Sequence, residues 1–155
     1  MINLQLVRAT VEDAPLIAHM QRQAFLPLLN TYHDQEASPA NESLARIVQK
    51  LQQPETYFYL VLCNGETVGG IRVVDKGSSA HKRIAPLFVL PPYQGKGIAQ
   101  WTIRQAEKLH GTTGWHLDTI LQEKGNCHLY EKMGYHPTGE ITRINDRMTL
   151  ICYEK

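Results

Sequence analysis

The chain has 155 residues, of which 43% are apolar and 20% charged, and sixteen basic against fifteen acidic side chains leave a net charge of +1. A chain of this size and balance builds one domain around a single core, and it lacks the charge excess of a protein that holds nucleic acid on a basic face. No apolar run approaches the roughly 18 residues of a membrane-crossing helix. The start, Met-Ile-Asn-Leu-Gln-Leu, lacks a basic region ahead of an apolar one, so no signal peptide is expected. Cys63, Cys127 and Cys152 are odd in number and scattered without metal-ligand spacing, which predicts free thiols, no metal and a reducing, cytoplasmic setting.

In chain order, Leu4 and Leu6 alternate with polar residues in a short strand over 3–8. Thr10, with Asp13 three residues on, reads as a variant capping box. The helix it opens is expected to run to Phe25, to bury Leu16, Ile17, Met20, Ala24 and Phe25, and to end at Pro27. Residues 27–41 have no period and read as a long connection, functional or mobile, that carries Tyr32, His33, Asp34 and Glu36. A second helix from Glu42 puts Leu44, Ile47, Val48 and Leu51 on one face and stops at Pro54. Tyr57–Cys63 has strand composition, Asn64-Gly65 is a two-residue hairpin signal, and Thr67–Val74 is the returning strand. Gly69-Gly70 marks a bulge or a close approach in it. A loop over Asp75–Ala80 leads to a strand over Arg83–Leu90, where Pro86 cannot donate to a ladder.

That strand breaks at Pro91-Pro92 and turns through Gly95 and Gly97. From Ile98 a helical period follows, with Thr102, Ala106 and Leu109, ending at His110-Gly111. A glycine-bearing loop at a helix N-terminus can seat a phosphate on unpartnered N–H groups, or be no more than a tight turn. It is neither a Walker loop nor the dinucleotide fingerprint Gly-x-Gly-x-x-Gly, since position 100 is Gln. A strand over Trp115–Leu121, a helix over Gly125–Met133 closed by Gly134, and a hairpin of Tyr135–Ile144 and Arg147–Tyr153 complete the chain. The order β-α-α-β-β-β-α-β-α-β-β describes a single α/β (α+β) domain over 1–155, with a mostly antiparallel seven-stranded sheet and one central crossover.

Two motifs carry a resemblance. Val89-Leu90-Pro91 followed by Gln94-x-x-Gly97-x-Ala99 resembles the coenzyme A pyrophosphate loop of the GNAT N-acetyltransferase superfamily. Leu129-Tyr130-Glu131-Lys132-Met133-Gly134-Tyr135 resembles the signature of the same superfamily on the helix after the fifth strand, and the element order is that of the superfamily. The resemblance implies helices on both faces of the sheet and acetyl-CoA as co-substrate. Its pyrophosphate would rest on the backbone of Gln94, Gly95, Lys96, Gly97, Ile98, Ala99 and Gln100, and its pantetheine arm along Leu87, Phe88 and Val89. Tyr130 would protonate the departing thiolate, although by period alone it is equally a core tyrosine beside Leu129. Many members carry an Asn seven residues before that Tyr. Here Glu123 stands there, and Asn126, one turn before Tyr130, is the substitute contact.

The activity implied is transfer of an acetyl group to a primary amine of a small molecule or peptide by direct attack in a ternary complex, with no nucleic acid or membrane partner and with room for a homodimer. His81, His116, Asp118, Glu123 or a water is the base. Tyr32, Asp34 and Glu36 would suit a cationic acceptor, and are equally expected on any exposed loop. Two other readings stand beside this one: a non-catalytic acyl-CoA-binding regulatory domain, and a nucleotide-binding module that uses only the helix N-terminus.

Overall fold

The computed structural model describes residues 2–77 and 81–155. Its strands are β1 (Leu4–Arg8), β2 (Thr56–Cys63), β3 (Glu66–Asp75), β4 (Lys82–Val89), β5 (Trp115–Ile120), β6 (His136–Arg143) and β7 (Thr149–Glu154). Its helices are α1 (Ala14–Tyr32), α2 (Leu44–Leu51), α3 (Ile98–His110) and α4 (Lys124–Lys132). The strands form one sheet in the order β1-β2-β3-β4-β5-β7-β6. Every neighbouring pair is antiparallel except β4 and β5, which the α3 crossover joins in parallel.

Period-two alternation divides the sheet's side chains between two layers. Phe58, Leu60 and Phe88 bury one face under Ile17 and Met20 of α1 and Ile47 of α2. Tyr59, Ile71, Val73 and Leu117 bury the other under Ile103 and Ala106 of α3 and Cys127 and Tyr130 of α4. The β2–β3 turn has Asn64 at φ 51° and Gly65 at φ 85°, the two positive values that a type I′ hairpin turn requires. Gly69-Gly70 serves a close approach. A Cβ at Gly70 would lie 2.8 Å from the Phe58 ring and 3.0 Å from the Phe88 ring. Gly70→Ala is therefore expected to lower stability by about 1–3 kcal/mol through overpacking. A urea midpoint equal to the parent's would contradict this packing.

The first helix is longer than its sequence implies. It runs through Pro27 to Tyr32, where His33 caps it at φ 57° and donates its N–H to the Leu29 carbonyl. Proline inside a helix removes one backbone bond at a cost of about 3 kcal/mol. Here the last turn is repaid by burial of Leu29 and Tyr32, and the Thr31 hydroxyl donates to the Pro27 carbonyl at 3.0 Å. The aperiodic connection thus shrinks to residues 33–43, with a single 3-10 turn at Pro39–Asn41. Leu16, expected inside, is 39% exposed. The predicted loop over Asp75–Ala80 lies partly outside the described residues.

Cys63 and Cys127 are buried, Cys152 is half-buried, and all three are unpaired. Titration of the denatured protein without reductant should count three thiols, and in the native protein Cys152 should react first. A count of one would reveal a disulfide and refute the assignment. Among the described residues, no helix is long and apolar enough to cross a membrane, and no cluster of metal-ligating side chains is assembled.

Candidate active site

The site begins where β4 leaves β5. The two strands pair only at Lys82 with Trp115 and Arg83 with His116, and then part. Beyond that point the β5-facing edge of β4 has no strand beside it. Its other edge remains on β3, with Gly69 opposite Val89, Gly70 opposite Phe88 and Ile71 opposite Leu87. The Leu90 N–H donates to the Val68 carbonyl at 2.8 Å, so that pair is a hydrogen-bonded one. Antiparallel ladders alternate, which makes Gly70–Phe88 hydrogen-bonded and turns the N–H and C=O of Leu87 and Val89 away from β3. They face the gap left by β5. Pairing also slips between Ile71–Leu87 and Val73–Ile84, so that Arg72 alone stands opposite Ala85 and Pro86. Pro86, which cannot donate, falls in this bulge.

After β4 the chain makes a 3-10 turn at Pro91–Tyr93 and reaches α3 through Gly95 at φ 76° and Gly97 at φ 80°. Both values are left-handed and favour glycine. A Cβ at either position would meet no protein atom within 4 Å, so open space faces this loop. The first intrahelical bond runs from the Trp101 N–H to the Gly97 carbonyl, at 3.1 Å. The N–H groups of the preceding turn therefore lack helical partners, at the positive end of the helix dipole. Gln94 braces the loop by donating its side-chain amide to the Val89 carbonyl at 2.9 Å.

On the far side of the gap, α4 presents Tyr130. Its ring is buried against Tyr135, with centroids 5.9 Å apart, and Tyr153, at 6.3 Å. The two neighbours are tied down: Tyr135 donates to Glu107 at 2.9 Å and Tyr153 to Glu131 at 2.6 Å. Among the described residues, the Tyr130 hydroxyl has no such partner. Tyr130 lines the groove instead. Burial, and then the neighbouring Cys127, push its phenol well above the usual tyrosine range. It stays protonated at any ordinary pH.

The groove between these elements has a volume of about 1270 Å³. It brings together Leu87, Phe88, Val89, Gln94, Gly95, Gly97, Ile98, Ala99, Gln100, Asn126 and Tyr130. The ring of Phe88 lies in the core, with Phe25 at 5.9 Å and Phe58 at 6.4 Å. Lys96 stands apart from the groove lining, its ammonium 5.8 Å from the centre of the Tyr93 ring.

The four candidate bases separate. His81 and His116 pair with each other, rings 5.9 Å apart, outside the lining. Burial, then the Arg83 charge, hold His116 below the usual histidine range. Asp118 and Glu123 do line the groove. Asp118 is in an ion pair with Arg83 at 3.0 Å. Glu123 is the N-cap residue of α4 and accepts a hydrogen bond from the Tyr32 hydroxyl at 2.5 Å. That bond, with burial, pushes the Tyr32 phenol up to about 12.

Of the acidic and aromatic residues read from the α1–α2 connection, Asp34 and Glu36 line the groove and Tyr32 does not. The Tyr32 hydroxyl is committed to Glu123, and Asp34 is buried with one oxygen unpartnered. Burial also raises the Asp34 carboxyl above the usual range. The groove gains residues that sequence reasoning passed over, among them Glu42, Arg46, Lys50 and Arg72. Arg72 had a signal, as the one charge within Gly69-Gly70-Ile71-Arg72-Val73-Val74.

Known proteins resemble the chain in sequence and in fold. The family model described as acetyltransferase (GNAT) domain matches residues 54–137, more than half of the chain. The chain is 29% identical over 134 residues to the uncharacterised N-acetyltransferase YjgM of Escherichia coli, covering 83% of this chain and 79% of that one. It superposes with a TM-score of 0.74 on the PaiA N-acetyltransferase of Thermoplasma acidophilum in complex with coenzyme A, at 14% identity over 99% of both chains. With the spermidine N-acetyltransferase of Vibrio cholerae, in complex with CoA and spermine, the TM-score is 0.75 at 18% identity, over 97% of this chain and 93% of that one.

Proposed function

Because the chain belongs to the GNAT acetyltransferase family, we propose that it transfers an acetyl group from acetyl-CoA to a primary amine of a small molecule or peptide, by direct attack in a ternary complex. The observation that carries this reading is the unbonded hydroxyl of Tyr130 at a groove that also holds a free strand edge and a glycine loop.

The residues present fit acetyl-CoA. The loop over 95–100 offers unpartnered N–H groups on an open face, which suits a pyrophosphate, while the Gln94 N–H already donates to the Pro91 carbonyl at 3.2 Å. The β4 edge offers the N–H and C=O of Leu87 and the N–H of Val89 to an amide-bearing arm; the Val89 carbonyl is already held by Gln94. Phe88 takes part through its backbone position, since its ring is a core group. Asn126, exposed and one turn before Tyr130, lines the same wall. When bound, acetyl-CoA supplies an activated acetyl thioester, whose transfer to an amine releases a thiol.

The side chains have distinct tasks. Tyr130 holds its proton until a thiolate develops beside it, and then donates it. An N–H of the free β4 edge supports the oxyanion that forms on the acetyl carbonyl. Glu123, alone or through a water, takes the proton that the amine gives up: its one side-chain partner among the described residues is the neutral Tyr32 hydroxyl, on a single oxygen, whereas Asp118 is ion-paired with Arg83 and the two histidines lie outside the lining.

An acceptor panel with detection of released thiol tests the reading. Free CoA should appear only when an amine is present, together with an acetylated product of 42 Da greater mass, the mass of the acetyl group exchanged for a hydrogen. Tight binding of acetyl-CoA with no release across the panel would favour a regulatory binding domain instead.

A further inference from the structure

The charges on the acceptor side of the groove are not all paired. Its lining contains Arg46, Lys50, Arg72 and Arg83, with Glu42 and Asp118 beside them and Asp34, Glu36 and Glu123 further along. The two nearer carboxylates are taken. Glu42 pairs with Lys50 and accepts from the Gln21 amide at 3.1 Å, and Asp118 pairs with Arg83 at 3.0 Å. Arg46 reaches only the neutral Gln49 side chain, at 3.2 Å. Arg72 donates Nη1 to the Ala85 carbonyl at 2.9 Å, and its buried Nε has no partner. Among the described residues, neither arginine has a carboxylate within ion-pair distance. Two guanidiniums in one corner therefore lack an ion-pair partner, and one of them is half-buried.

A guanidinium with one neutral acceptor is an expensive group to bury. Burial lowers the affinity of Arg72 for its proton, and the nearby Arg83 and Arg46 charges lower it further, against the pull of Glu42 and Glu55. An anion in the groove would relieve both the charge and the missing hydrogen bonds. The corner also adjoins the reacting edge, since Ala85 precedes Leu87 by two residues in β4. A planar, singly charged carboxylate matches the fork of a guanidinium.

We infer that the acceptor is an amine that carries a carboxylate, an amino acid or a close analogue, and that Arg72 and Arg46 receive that carboxylate. This rests on the acetyl-transfer reading above and specifies its substrate class. The two arginines are specificity residues here. They bind one end of the acceptor and take no part in proton transfer.

The test compares a panel of L-amino acids with their carboxamides, with phosphoethanolamine and with spermidine. Turnover is followed by thiol release, and binding by calorimetry on the CoA-loaded protein. At least one amino acid should bind, and be used with kcat/KM about 10-fold or more above its amide, the scale of one charge-assisted hydrogen bond. Arg72→Gln and Arg46→Gln should erase that preference by raising KM for the amino acid to that for its amide. Should Arg72→Gln fail to fold, Arg46→Gln, on an exposed position of α2, carries the same reading. Equal or better use of amides or spermidine overturns the carboxylate assignment while leaving acetyl transfer intact. A preference for phosphoethanolamine overturns it in favour of a phosphate. Amino acids that neither bind the CoA-loaded protein nor react also overturn it, whatever the turnover of other amines, and so do variants that keep the preference. Release of no thiol with any amine overturns acetyl transfer itself, and calorimetry then still decides the carboxylate site.

Discussion

Tyr130→Phe is expected to lower turnover by about 10²-fold or more, the usual scale for losing a positioned acid. The substitution removes one hydroxyl and keeps the ring that packs on Tyr135 and Tyr153. That hydroxyl makes no bond within the described protein, so stability should change by about 1 kcal/mol or less. Affinity for acetyl-CoA should also hold, because the loop over 94–100 and the β4 edge are untouched. Loss of kcat with binding and stability retained separates an acid from a core tyrosine, which would give a small stability change and normal turnover. The pH profile adds a check. Burial raises the phenol above its usual value, so its proton is present below that pKa and is lost only above it. No fall in rate from Tyr130 is expected below about pH 10, the ordinary tyrosine value. A steady-state assay in which the Phe variant runs near the parent rate would remove Tyr130 from the mechanism.

Gly97→Leu is expected to weaken acetyl-CoA binding by about 10²-fold or more, equivalent to about 3 kcal/mol. Two effects combine. A side chain at φ 80° strains the backbone at the N-cap of α3, and the new side chain enters the open space that faces the loop. Because no protein atom lies within 4 Å of the added Cβ, the fold itself should survive, with the cost confined to backbone strain of roughly 1–2 kcal/mol. Gly97→Ala separates the two effects, since it has the strain with little of the bulk. Calorimetry of the folded Leu variant reads the result directly. An affinity equal to the parent's would place the pyrophosphate elsewhere.

The local elements were legible because their signals are local. Asn64-Gly65 demands a hairpin turn through its own backbone preferences, and Gly95 and Gly97 mark a left-handed path at a strand-to-helix junction. The spacing of Tyr130 from Gly134 follows from one helix with its cap. The end of α1 was not legible, because proline is a strong local stop. Only burial of the last turn, where Tyr32 and Leu28 pack with Ile120 and Met148 more than 80 positions away, carries the helix past Pro27. The candidate bases show the same limit. Asp118 and His116 are two residues apart in one strand and so share a face, yet β4 still covers β5 at His116 and has left it by Asp118, so that Asp118 lines the groove and His116 does not.

By itself, the sequence determined the order of elements, the loop at α3 and the motif around Tyr130, since each depends on residues within a turn or two of one another. It also carried the family resemblance, which is a matter of spacing along the chain. Only the tertiary structure decided that β4 and β5 part after two residue pairs, and that the edge so exposed belongs to Leu87 and Val89. It likewise decided that, among the described residues, Tyr130 alone of three packed tyrosines keeps a free hydroxyl, and that Arg72 and Arg46 have no carboxylate within ion-pair distance. These are facts about partners. Whether a polar group is satisfied depends on atoms brought from distant segments, and no pattern along the chain records which of them arrive.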